Sequence, residues 1–419
     1  VKLSPERLNL PLLSRTVAPK PRFLSLTSVP AGTTRFSKGS SMLKKSMILT
    51  AVLATVLTGA SLTSFSHATA ATATTTVAAD AQTVKVVNAA NAFLNTLSAS
   101  QKKAVSFAWT DAAQRARWSN FPSGIFQRQG LRWGDMTSAQ RTALMSLLGA
   151  VLSADGLKMV KEQMAADDVL KTTDGGRQGG GQSGVPAGGP PNGGTPPAGG
   201  GGGLNFGSDE YYVSFLGSPS TTNAWTLQFG GHHLAINATV VGPNITLAPT
   251  LTGGQPVRTT VNGKTVTVVT QVPEEVKDAS ALLSSLNAAQ KAKAVVSTNR
   301  IDLVLGPGQD NKTLQAEGLS GSDMTAAQKT QLLALIRQRL GILNANDLAP
   351  KMAAIEKNLK RTYFAWYGPT TSAGDAYFRV TGPTFVMEFS PQSMGGDSSN
   401  HLHNMYREIG NDYGAAWTK

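Results

Sequence analysis

The sequence predicts a mixed α+β protein, built from two pseudo-repeats of a helix–helix–β-hairpin unit packed as one duplicated structure. Three observations predict it. Apolar residues recur at helical spacing over 84–97, and Leu144, Leu147, Leu148, Val151 and Leu152 form one stripe after Thr137-Ser138-Ala139-Gln140. Runs of β-branched and aromatic residues at 211–215 and 224–229 flank the turn-forming Gly217-Ser218-Pro219. The two halves also match each other. Leu97-x-Ala99-x-Gln101-Lys102 recurs as Leu286-x-Ala288-x-Gln290-Lys291, and Gly130-Leu131-x-x-x-Asp135-Met136-Thr137-x-Ala139-Gln140 recurs as Gly318-Leu319-x-x-x-Asp323-Met324-Thr325-x-Ala327-Gln328. Gln101 and Met136 are 35 residues apart, Gln290 and Met324 are 34 apart. Matching order and spacing is the mark of duplication, and two copies are too few for a solenoid.

In chain order, residues 42–70 read as a secretory signal peptide. Lys44-Lys45 supply a basic start, 47–60 an uncharged apolar run, and Ala68-Thr69-Ala70 a small-x-small cleavage pattern. The run is shorter than the ~20 residues of a membrane span. Residues 1–41 are then expected to be non-native upstream sequence, and the mature chain to be exported, periplasmic or extracellular, with no stable span after cleavage. Residues 1–70 hold nine of the 38 Lys/Arg and one of the 25 Asp/Glu, leaving 29 basic and 24 acidic residues and a net charge of +5, against +13 for the whole. That balance carries no nucleic-acid footprint. The absence of cysteine excludes disulfides, thiolate metal sites and cysteine nucleophiles.

Residues 80–172 are expected to be the helical part of the first repeat. The Gly/Pro-rich stretch at 173–207 is expected to be a linker or surface loop, since little in it can build a core. Residues 208–272 read as the β part of the first repeat, with Asn262-Gly263 signalling a hairpin. Residues 273–419 form the second repeat. Pro273-Glu274-Glu275 opens a helix expected to run to about Val296, and the strand pair of this half is expected between Tyr363 and Gly382. Trp225, Trp366 and Tyr377 are expected as core aromatics of the hairpins.

Of the five histidines, His67 falls in the expected signal segment, and the other four occupy two motifs. One is Phe229-Gly230-Gly231-His232-His233-Leu234-Ala235, the other His401-Leu402-His403 near the C-terminus. Where the first half carries His232-His233, the second carries Pro383-Thr384, so the histidines are not a repeated core feature. On an extended strand His401 and His403 point the same way and can grip one ion. Adjacent His232 and His233 point opposite ways on a strand, so one of them is expected to join the pair unless Gly230-Gly231 breaks the strand. Three imidazoles with an open fourth position suit a divalent transition metal such as zinc, and imidazole also suits copper, nickel or iron. Met394 and Met405 flank the pair and tilt the choice towards copper. Asp397, Glu408 and Asp412 are candidate carboxylates for the fourth position or for support.

Three functions follow: metal binding or handling; a metal-dependent enzyme, a hydrolase in the first instance, acting on a small-molecule substrate with Arg407 and Glu408 near the ion; or a structural protein whose histidines are merely packed. An ion pair anchoring the terminus is the plainer role for Arg407 and Glu408. Gly306-Pro307-Gly308-Gln309-Asp310 lacks the Lys and Ser/Thr of a phosphate loop.

Trp225-Thr226-Leu227-Gln228-Phe229-Gly230-Gly231-His232-His233-Leu234-Ala235-Ile236-Asn237, with His401-Leu402-His403-Asn404-Met405-Tyr406-Arg407-Glu408 and Asn411-Asp412-Tyr413-Gly414, resembles a large family of mostly bacterial proteins that carry a domain of unknown function. The resemblance runs from about residue 85 to the C-terminus. It implies an exported protein and names no reaction.

Overall fold

The alternation of apolar and polar residues along the strands sets up a sheet with two different faces. The computed structural model describes residues 80–173, 204–393 and 396–418, all within the unit Thr74–Lys419. The expected signal segment with His67, most of the Gly/Pro stretch, and Met394 lie outside the described residues. The described residues form a mixed α+β fold around one 13-stranded sheet. Its order runs Ser106–Phe107, Tyr212–Leu216, Trp225–Gly231, Leu234–Val241, Thr250–Gly254, Leu402–Glu408, Phe385–Pro391, Tyr377–Thr381, Tyr363–Tyr367 and Val295–Ser297. The two outermost strands pair in parallel, Ser106 with Phe215 and Val295 with Trp366; the neighbours between them are antiparallel. N- and C-terminal halves meet in the middle, where Thr250–Gly254 pairs with Leu402–Glu408 and Gly253 lies opposite His403.

One face packs under helices. Val86, Ala90 and Phe93 of Ala81–Asn95 and Leu144, Leu147, Leu148 and Val151 of Ser138–Val151 meet Val213, Phe215, Leu227, Phe229, Leu234 and Ile236 in one core. Each large apolar side chain buried there contributes about 1.5–3 kcal/mol. In the second half Leu282 and Leu283 of Gln271–Ser285 and Leu332, Leu335 and Ile336 of Ala326–Leu340 do the same over Phe364, Trp366, Phe378 and Phe389. The helix pairs are joined by glutamines. Gln101 and Gln140 bond to each other and Gln140 donates to the Thr96 carbonyl. Gln290 and Gln328 bond likewise, with Gln328 donating to the Ser285 carbonyl. All four sit in capping boxes, where the third helical residue closes back on the cap.

Two expectations are corrected here. Residues 80–172 are not helical throughout. Between the short strands Ser106–Phe107 and Leu131–Arg132 the chain is mostly irregular and lies over the other sheet face, where Trp118 packs with Ala235, Leu251 and Met405. Arg and Gln side chains bond its carbonyls in place of a helical ladder, as with Gln228 to the Arg115 carbonyl. The helix that opens near Pro273 also does not reach Val296. It ends at Ser285, because Asn287 caps a new helix, Ala288–Ala294, and the strand Val295–Ser297 follows.

Asn262-Gly263 does turn a hairpin, both residues with positive φ, between Arg258–Val261 and Lys264–Thr267. Trp225 and Trp366 are fully buried in the main core, while Tyr377 is fully buried on the other face against Tyr367. Among the described residues no helix is long and apolar enough to cross a membrane.

Candidate metal centre

The strand Leu402–Glu408 places alternate residues on opposite faces. Leu402 and Tyr406 enter the helix-covered core, so His403, Met405 and Arg407 face the loops. His401, extended just before the strand, keeps the same phase. Gly253 opposite His403 leaves space over the neighbouring strand, and the His233 ring fills it. A Cβ on Gly253 would lie 3.2 Å from His233 Cδ2.

His232 and His233 do not lie on a strand. They form the turn between Trp225–Gly231 and Leu234–Val241, with His233 at φ 59°. The strand ends at Gly231, so the alternation that would turn them opposite ways does not apply, and the two rings lie against each other, centroids 3.8 Å apart; His233, and not His232, joins His401 and His403. The turn is held from both sides. Tyr211 donates its hydroxyl to the His232 carbonyl, and the His233 amide donates to the Asn120 carbonyl.

The result is a convergence of three imidazoles. His233 Nε2 lies 2.9 Å from His401 Nε2 and 2.9 Å from His403 Nε2, and the last two are 3.2 Å apart. All three residues are buried, and their ligand atoms form a group that could hold a metal ion. A tetrahedral ion with ~2.0–2.1 Å bonds to nitrogen keeps those nitrogens about 3.3 Å from one another. The observed spacing is close to that. Burial, and then the neighbouring imidazoles, push His233 and His403 well below the ordinary histidine range, so both are neutral and in the form that binds metal.

His232 is engaged elsewhere. Its Nδ1 is 2.7 Å from Asp167 Oδ1, a contact that fixes the orientation of the ring. Asp167 is 2% exposed on the helix Ala154–Thr173, and its other oxygen accepts the Gly207 amide. This carboxylate was missing from the sequence reading. Its signal was a charge on the buried stripe Met159, Gln163, Asp167, Leu170, where an acid without a partner is costly.

The other candidates are placed as follows. Arg407 pairs with Asp310 and Asp412 and donates to the carbonyls of Leu305 and Gly306, which fastens the 298–318 loop to the C-terminal strand. Gly306 and Asp310, from the glycine-rich stretch that is not a phosphate loop, thus serve as its partners. Glu408 turns to the helix side, where it accepts from Thr246 and Asn411 and contacts Lys351. Asp397 caps Ser399 and reaches Arg258. Met405 packs with Trp118, Ala235 and Leu251.

Comparison with curated proteins finds no match, and comparison with solved structures finds none. A family model matches residues 79–415, nearly the whole described chain including both histidine motifs. The chain belongs to the family described as "Protein of unknown function (DUF3500)".

Proposed function

We propose that this protein binds a divalent transition metal, zinc or copper, through His233, His401 and His403. The mutual approach of three Nε2 atoms carries the reading. Each neutral imidazole has one N–H, and three ring nitrogens meeting at a point cannot satisfy one another by hydrogen bonds in three directions. A cation among them uses all three lone pairs. Packed histidines, the structural alternative, would aim at carbonyls or hydroxyls. Three neutral nitrogen ligands and a fourth position left to water or substrate favour zinc, with Met405 held in an apolar cluster. The Asp167–His232 pair beside the cluster favours an enzyme, a metal-dependent hydrolase, over simple metal storage: an imidazole oriented by a buried carboxylate is the kind of group that works beside a metal-bound water.

We also infer that the fold arose by duplication and that the mature chain is exported. The duplication is supported by the matched glutamine pairs, by the parallel outer strands in each half, and by the repeated motifs. Export rests on the 42–70 pattern.

Metal analysis of untagged protein tests the main reading. Near-stoichiometric zinc or copper is expected in the wild type, with loss in His401→Ala, His403→Ala and His233→Ala and no effect of His67→Ala. A chelator lowers the wild-type melting temperature; at free metal 100 times Kd the stabilisation lost is about 2.7 kcal/mol. A wild type that takes up no metal, or three ligand variants that keep it, sinks the metal reading.

A further inference from the structure

The His232-His233 turn is fixed through its backbone, and one side chain holds much of it. Arg128, half-buried in the irregular 112–130 segment, donates from Nη2 to three carbonyls: Gly231 at 2.8 Å, Ser119 at 2.7 Å and Phe121 at 2.7 Å. Gly231 is the residue that enters the turn. Ser119 and Phe121 flank Asn120, whose carbonyl accepts the His233 amide at 3.3 Å. The bonds close a ring. It runs from Arg128 to Gly231, through the turn to His233, across to Asn120, and back to Arg128 through the two neighbours of Asn120. His233 sits at φ 59°, a conformation that a residue with a side chain keeps only where its surroundings fix it. The same residue carries the Nε2 that approaches both His401 and His403.

We propose that Arg128 is a positioning residue of the metal centre, one that holds the His233 imidazole in place through the backbone of the turn. This role rests on the metal reading of His233, His401 and His403. An arginine is an unfavourable neighbour for a bound cation. After burial and the other imidazoles, its positive charge is among the influences that hold His233 neutral, and it would repel a divalent ion at the same place. The nearby carboxylates of Asp167 and Glu210 offset part of that charge. Charge and geometry therefore predict opposite signs. If Arg128 acted through its charge, removing it would tighten metal binding. Acting through the turn, its removal releases three carbonyls at once, lets His233 leave its left-handed conformation, and weakens binding. Geometry outweighs charge here, because loss of a ligand's support ordinarily costs a metal site about 10–100-fold in affinity, whereas the repulsion is already offset in part.

The test uses full-length, metal-stripped protein, titrated with zinc against a competing dye and with cobalt(II), whose visible absorption reports coordination geometry. Arg128→Met is expected to bind zinc about 10–100-fold more weakly than the wild type and to give an altered cobalt spectrum. Arg128→Lys keeps the cation but is one bond shorter and has no planar fork, so it cannot hold all three carbonyls. It is expected to lose about tenfold in zinc affinity, and it carries the test where Arg128→Met does not fold. Arg339→Met is the structural control. It breaks a buried ion pair between helices of the second half, and is expected to lower the melting temperature while keeping wild-type zinc affinity and cobalt spectrum. A folded Arg128 variant that binds zinc as tightly as the wild type, or more tightly, overturns the proposal. So does an equal loss of affinity in Arg339→Met, since binding would then merely follow stability. A wild type that takes up neither zinc nor cobalt sinks the metal reading and the proposal with it, whereas metal-binding wild type matched by both Arg128 variants sinks the proposal alone.

Discussion

Gly253→Ala probes the candidate centre without touching a ligand. The added Cβ would sit 2.4 Å from the Leu402 carbonyl oxygen, 3.2 Å from His233 Cδ2 and 3.3 Å from His233 Cβ. The carbonyl belongs to the paired strand and cannot swing away, so the strands carrying His403 and Gly253 must part, by roughly 1 Å, and the His233 ring must shift. Overpacking of this kind costs about 1–3 kcal/mol, against the 0.4–1 kcal/mol that replacing glycine ordinarily gains by restricting the unfolded chain. Unfolding entropy of about 2.1 cal/mol/K per residue over roughly 340 residues makes each kcal/mol worth about 1.4 °C. The melting temperature of metal-free Gly253→Ala should therefore fall by up to about 4 °C. Metal affinity should fall more visibly, by about 10–100-fold, the usual effect of disturbing a ligand's support. Scanning calorimetry and competition against a zinc-sensitive dye read the two effects. Gly306→Ala is the control, since its Cβ meets only the Leu303 side chain, at 3.7 Å. A Gly253→Ala protein with wild-type melting and wild-type zinc affinity would refute the placement of His233 over Gly253.

Acid should destabilise the metal-free protein through the same imidazoles. His233 and His403 are depressed below 6.5, so their contribution is complete above that pH and is lost as pH falls towards their folded values; the double Gln variant should lose this part of the melting-temperature slope, and an unchanged slope would argue against buried neutral imidazoles. Asp347 has the opposite sign. Burial holds it up at about 6 against 3.8, so its carboxyl favours folding below 3.8 and that benefit is lost as pH rises through 6. Asp347→Asn should stabilise the protein at pH 7.5, by at most about 3 kcal/mol, and be neutral near pH 3.5; denaturant titration at both pH values checks it. Arg339 and Glu275 form an ion pair at 1% and 0% side-chain exposure, joining the helices Ala326–Leu340 and Gln271–Ser285. Arg339→Met alone should cost about 3–5 kcal/mol, and Arg339→Met with Glu275→Leu should recover most of it; a double variant as unstable as the single would show that the pair is not the relevant unit.

Much of this protein is written locally. The capping boxes at Ser98, Thr137, Asn287 and Thr325 close within three residues of chain, and the apolar stripe of Ser138–Val151 needs only the helical period. The same holds for the Asn262-Gly263 hairpin and for the common phase of His401 and His403, since a strand repeats every two residues. Metal-ligand chemistry could be suspected from four histidines confined to two motifs. Tertiary structure decided the rest. The His232-His233 dipeptide carries no sign of which ring turns inwards; that depends on the left-handed φ of His233, on the space left by Gly253 some twenty residues later, and on Asp167 arriving from a helix to hold His232. Arg407 and Glu408 sit beside the motif in sequence yet end on opposite faces of the sheet, each held by partners from distant segments. Local signals fix periodicity and caps because those depend on neighbours in the chain. A site depends on which segments share a sheet face, and that is set by pairing between strands about 150 residues apart.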